Sequence, residues 1–135
     1  MENKEFKPYI VAVYGTLRKG FGNHRLLEHC NKIKTGITDE KFTMYSFGGF
    51  PAISPTNVKD TNITVELYEV VDERTSRNLD SLEGYPEWYD KTEVTVDNTK
   101  AMIYFMPKDK IGNKKIVENG DWVDYLNRDK YENRL

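Results

Sequence analysis

The chain has 135 residues, 38% hydrophobic and 13% aromatic, with a net charge of −2 and one cysteine. That length predicts a single domain, residues 1–135, able to bury a core without metal or disulfide staples, and the near-neutral charge gives no pull toward nucleic acid or an anionic membrane. A lone Cys30 excludes an internal disulfide and fits a reducing, cytoplasmic setting; the opening MENKEFKPYIVAVYG is too poor in apolar residues for a signal peptide, and nothing approaches the ~20 apolar residues that span a bilayer.

Residues 9–14, YIVAVY, form a continuous apolar, β-branched run, the pattern of a strand covered on both faces. The run stops at Tyr14-Gly15 and turns into Arg18 and Lys19 with no proline and no Asn-Gly pair. Such an ending suggests a backbone cradle for a negative group, with both charged side chains past the turn and exposed. Residues 22–30, GNHRLLEHC, read as a short helix capped by Asn23, with Leu26, Leu27 and Cys30 inward. Residues 41–47 are strand-like and run into GGFPAISP, whose glycines and prolines end the ladder. Over 62–70 the sequence alternates, Ile63, Val65 and Leu67 on one face and Thr64, Glu66 and Tyr68 on the other, a half-buried strand.

The strongest helix signal follows. Asp72 is placed to cap it, Thr75, Leu79 and Leu82 form an inward stripe, and Gly84 stands where a left-handed C-cap belongs. Residues 90–97 and 100–106 read as two strands around a turn at Asp97-Asn98-Thr99. A last helix is expected from Asp121, packing Trp122, Val123 and Leu126, with a charged end that frays. Together these predict an α+β fold, a mainly antiparallel sheet able to close into a small β-barrel with a few flanking helices.

Three candidate sites fail on their own chemistry. Gly15-x-x-x-x-Gly20 lacks the Lys-Ser/Thr that a phosphate loop needs, because Phe21-Gly22 follows. His24 and His29, five apart on a helix, fall on different faces, and with Cys30 they do not complete a metal's ligand set. Cys30 has no base beside it to make it a nucleophile and reads as a small buried residue.

Glu83 is different. Four residues after Leu79, it shares the helix face that points inward, and it stands at the C-terminal turn, where the helix dipole disfavours an anion. Tyr85, Trp88 and Tyr89 add aromatic surface. Burial, dipole and neighbours all push a carboxyl pKa upward, toward the range where it takes and returns a proton. Position alone leaves one alternative open, a frayed last turn with Glu83 in water. Glu66, Glu69, Glu73 and Glu93 read as solvent-facing.

These residues resemble the gamma-glutamyl cyclotransferase-like family. Its strand-one signature stands here as Tyr14-Gly15-Thr16-Leu17, followed by GNH at 22–24, GGFPAI at 48–53, Glu83 within LDSLEG, and GDW at 120–122. The spacing from Glu83 to Pro86 and Tyr89 is most similar to the gamma-glutamylamine cyclotransferase branch. The resemblance spans residues 10 to 122. It implies a cofactor-free, metal-free cyclotransferase: the substrate's own α-amine attacks its γ-carbonyl, giving 5-oxoproline and a free amine. Glu83 would move the proton, Tyr14, Gly15, Thr16 and Leu17 would hold the substrate through main-chain donors, and Tyr89 would hydrogen-bond the substrate or Glu83. Core-aromatic roles for Tyr14 and Tyr89 stay open, as do monomer and homodimer. The partner implied is a small gamma-glutamyl molecule, not nucleic acid or membrane. The competing readings are a non-catalytic binding module on the same fold and an enzyme acting on another amide.

Overall fold

The computed structural model describes residues 5–134, with side chains described to residue 128. Among these residues the chain forms seven strands, two α-helices and two short 3₁₀ turns. β1 (Tyr9–Val13) leads through a 3₁₀ turn (Gly22–Leu27) into β2 (Asn31–Ser46), β3 (Pro51–Ser54) and β4 (Thr61–Val70). Then come α1 (Glu73–Glu83), the hairpin β5 (Asp90–Val96) and β6 (Thr99–Phe105), β7 (Lys115–Val117) and α2 (Trp122–Arg134). The fold is α+β, and no helix among the described residues is long and apolar enough to cross a membrane.

The sheet runs β3-β2-β4-β1-β6-β5, with β7 on the other edge of β2. All pairings are antiparallel except β1 with β6, where Val11 faces Met102 and Ala12 faces Ile103. The apolar run of β1 has the predicted cause: Val11 and Val13 enter one core cluster with Leu79, while Ala12 enters the other with Ile63, Val65 and Trp122. Curling brings β5 round to β2 without a ladder between them. Instead the Thr95 N–H donates to a Glu40 carboxylate oxygen at 2.8 Å, and Lys34 pairs with Asp97. The barrel is therefore approached but not closed by backbone bonds.

Helix α1 follows its sequence signals. Asp72 accepts from the Thr75 N–H at 3.0 Å, and Gly84, at φ 64°, ends the helix in the left-handed region that favours glycine. The β5–β6 turn is a two-residue one, with Asp97 and Asn98 both at positive φ, as a primed hairpin turn requires.

Several expectations are corrected. The 22–30 helix is a 3₁₀ turn ending at Leu27; Asn23 does not cap it but donates to the Thr16 hydroxyl at 2.9 Å, and Cys30 is only half-buried. GGFPAISP does not end the ladder, because Pro51 opens β3, the first-residue position a strand tolerates for proline. The strand at 41–47 is the end of a longer β2. Leu82 leaves the inward stripe and is 40% exposed, one turn past the last core contact at Leu79. Most consequential, Glu66 is not solvent-facing and Arg18 is not free: they are 5% and 7% exposed and pair at 2.9 Å. The face of β4 given to water in the alternation is covered by the segment after β1. Trp122 is buried as expected; the charged end expected to fray falls among side chains from 129 onward, outside those described.

Candidate functional site

Because β1 and β6 run parallel, their C-terminal ends lie side by side, and the segments that follow them border one cavity of about 590 Å³. The loop 14–17 forms one wall, residues 47–51 entering β3 another, and the end of α1 with Trp88 and Tyr89 a third. Tyr104 and Met106 line it from β6 and the residue beyond. All six residues singled out in sequence, Tyr14, Gly15, Thr16, Leu17, Glu83 and Tyr89, line this cavity.

The loop is held in shape by its own chemistry. The Arg18 N–H donates to the Gly15 carbonyl at 3.0 Å, closing a tight turn. Among the described residues, the N–H groups of Gly15, Thr16 and Leu17 have no protein acceptor. Three main-chain donors at a cavity wall suit an anionic oxygen. A β-carbon on Gly15 would lie 2.7 Å from Pro51 Cδ and 2.8 Å from Cγ. Glycine is thus required for the loop to lie against Pro51, a reason that lies within the protein itself.

Glu83 is the last residue of α1 and half-buried, so the frayed alternative does not hold. Burial pushes its carboxyl up to about 7. No donor among the described residues hydrogen-bonds it, so the group faces the cavity with its lone pairs free. A carboxyl in that state exchanges protons near neutrality. Tyr14 and Tyr89 stand close enough for the Glu83 charge to raise their hydroxyl pKa values further, above what burial does first. Both hydroxyls are already committed: Tyr14 donates to the Tyr104 carbonyl at 2.9 Å and Tyr89 to the Pro51 carbonyl at 3.2 Å. They brace the cavity walls.

Of the aromatics expected around Glu83, Tyr89 and Trp88 border the cavity, though Trp88 is 61% exposed, at its mouth. Tyr85 turns away, under the Lys91 ammonium 4.1 Å from its ring centre. Asn23 and Phe50, within the GNH and GGFPAI segments that carry the resemblance, also border the cavity, as does Tyr104, which had no local signal of it in the sequence. Among the described residues no group of His, Cys, Asp or Glu is arranged to hold a metal.

Residues 11–124 match the family described as gamma-glutamyl cyclotransferase, AIG2-like. A provisionally named gamma-glutamylcyclotransferase of Methanocaldococcus jannaschii is 41% identical over 121 residues, covering 85% of this chain and 96% of its own. The gamma-glutamylaminecyclotransferase of Rattus norvegicus is 34% identical over 93 residues, covering 64% of this chain and 62% of its own. An uncharacterised protein of Pyrococcus horikoshii has a solved structure similar to this one at a TM-score of 0.74 and 25% identity, covering 91% of this chain and 97% of its own.

Proposed function

The chain belongs to the gamma-glutamyl cyclotransferase, AIG2-like family, and from that membership we propose that it closes the glutamyl part of a small γ-glutamyl amide into 5-oxoproline, with Glu83 carrying the proton. The family is one of gamma-glutamylcyclotransferase-type enzymes. The observation that carries the proposal is the unpartnered, half-buried Glu83 carboxyl, raised to about 7 inside the cavity.

The α-amine nitrogen forms a bond to the γ-carbonyl carbon, and the bond from that carbon to the leaving nitrogen breaks. Glu83 accepts the proton that the amine loses and returns it to the leaving nitrogen, so neither water nor a protein nucleophile is consumed. A carboxyl near pKa 7 is matched to both transfers, a role worth ~10²–10⁴-fold. The reaction is intramolecular, so the cavity gains rate chiefly by folding the substrate into a near-attack shape. Free N–H groups at Gly15, Thr16 and Leu17 receive the substrate's carboxylate or the developing oxyanion. Tyr14 and Tyr89 hold the walls and present ring surface to the substrate. A pocket that only bound a ligand would gain nothing from an unpaired carboxyl in an apolar setting, which favours turnover over a binding module.

The preference proposed within the class is for γ-glutamylamines. It is supported by the Glu83, Pro86, Tyr89 spacing and by the 34% identity to the rat gamma-glutamylaminecyclotransferase. The test is incubation with a panel of γ-glutamyl amines and γ-glutamyl amino acids, with 5-oxoproline detected by mass spectrometry. Formation from the amines first is the expected result; no 5-oxoproline from any member overturns the reaction.

A further inference from the structure

We propose that Glu66 and Arg18 act as a positioning clamp behind the cavity, fixing the loop 15–17 so that its free N–H groups meet the substrate; this rests on the cyclotransferase reading above. Neither side chain borders the cavity. They stand behind its wall, where Glu66 gathers three donors. One carboxylate oxygen accepts from Arg18 Nε at 2.9 Å; the other accepts from the Lys19 N–H at 2.9 Å and the Tyr68 hydroxyl at 2.7 Å. The Arg18 fork continues to Asp121 Oδ1 at 3.2 Å, and the same oxygen accepts from the Asp124 N–H in the first turn of α2.

The consequence is geometric. Residues 15–17 are held at one end by β1, which is locked into the sheet, and at the other by Arg18 and Lys19, which are locked onto β4 and α2. A further tie comes from His24, whose Nδ1 lies 2.9 Å from the Leu17 carbonyl while its ring packs on Tyr68 at 5.4 Å. Between the two anchors lie Tyr14, itself tied through its hydroxyl to the Tyr104 carbonyl, and the three residues with free N–H groups. Stability alone gives no reason for the arrangement, since well-packed apolar residues often replace a buried ion pair at no loss. What apolar residues cannot do is accept from the Lys19 N–H and hold the turn in register.

Glutamine at 66 is a sharp probe. The carboxylate accepts on both oxygens, whereas an amide has one acceptor and turns an N–H₂ toward one of the existing donors. In Glu66→Gln the ¹⁵N order parameters of Gly15, Thr16 and Leu17 are expected to fall from about 0.85 to below about 0.7, with Val11 and Val13 unchanged. kcat/KM on the best substrate of the panel should fall at least tenfold, since small misplacement of positioning groups costs up to ~10²-fold. The double variant Arg18→Met, Glu66→Leu separates positioning from stability: it should recover the urea midpoint but not kcat/KM. Unchanged order parameters in folded Glu66→Gln overturn the clamp, and so does a double variant that recovers stability and turnover together. If the wild type converts no γ-glutamyl amide, the reaction falls, while the order parameters still judge the clamp by themselves.

Discussion

Replacing Glu83 by glutamine keeps the side chain's shape and removes its proton chemistry. In the folded chain, burial raises this carboxyl from 4.5 to about 7. Between those values the folded protein holds a proton that the unfolded chain has released, so stability falls as pH rises through the window and levels off above it. A displacement of that size is worth on the order of 3 kcal/mol once the group is fully ionised. About 2 kcal/mol of it develops between roughly pH 5 and pH 8. Glutamine carries no such dependence. Urea unfolding of wild type and Glu83→Gln at those two pH values should show the variant gaining on the wild type by about 2 kcal/mol. That is roughly 1 M in midpoint, given slopes of about 1–3 kcal/mol per molar. The variant should also lose ~10²–10⁴-fold in 5-oxoproline formation, and wild-type kcat/KM should show an acid limb near 7. Parallel stability profiles would refute the buried-carboxyl reasoning. Near wild-type turnover by the variant would refute the proton-transfer role.

Gly15→Val drives a β-carbon into Pro51 and separates two cavity walls; kcat/KM should fall ~10²-fold or more while thermal unfolding stays cooperative. Arg18→Ala leaves Glu66 charged, buried and unpaired, so chemical denaturation should register a loss of about 3–5 kcal/mol, whereas exposed Lys19→Ala should stay within about 0.5 kcal/mol. Asp72→Ala removes the α1 cap and should cost about 0.5–2 kcal/mol by the same measurement. Exhaustive chelation should leave the rate unchanged; loss of activity restored by one divalent ion would overturn the proton-transfer scheme.

Much of the fold was legible because the elements that matter most carry local signals. β1 and α1 are marked by a continuous apolar run and by a cap at each end, and Glu83 is marked by one helical turn from Leu79. The first half of β2 carried no such signal: its apolar residues Ile33 and Ile37 are exposed, so no inward alternation exists to read. Glu66 shows the limit most clearly. Period-two alternation reports which face of a strand a residue takes, but not whether a second layer covers that face. That depends on Arg18, 48 positions earlier, being brought against it. Gly15 was singled out for close approach to a ligand, whereas its close approach to Pro51 is a long-range contact that spacing cannot reveal.

The position of β1 between β4 and β6 bears on how the molecule assembles. Ala12 pairs with Leu67 on one side and Ile103 on the other, so β1 is synthesised long before either neighbour exists. Contacts so distant in sequence delay loop closure and slow folding, and until they form an apolar strand stays unpaired and open to association with other chains. The cavity inherits that order of events. Its 14–17 wall begins where β1 ends, and its Tyr104 wall arrives with β6, so a chain halted before β6 has a sheet in part and a pocket that lacks the wall of Tyr104 and Met106.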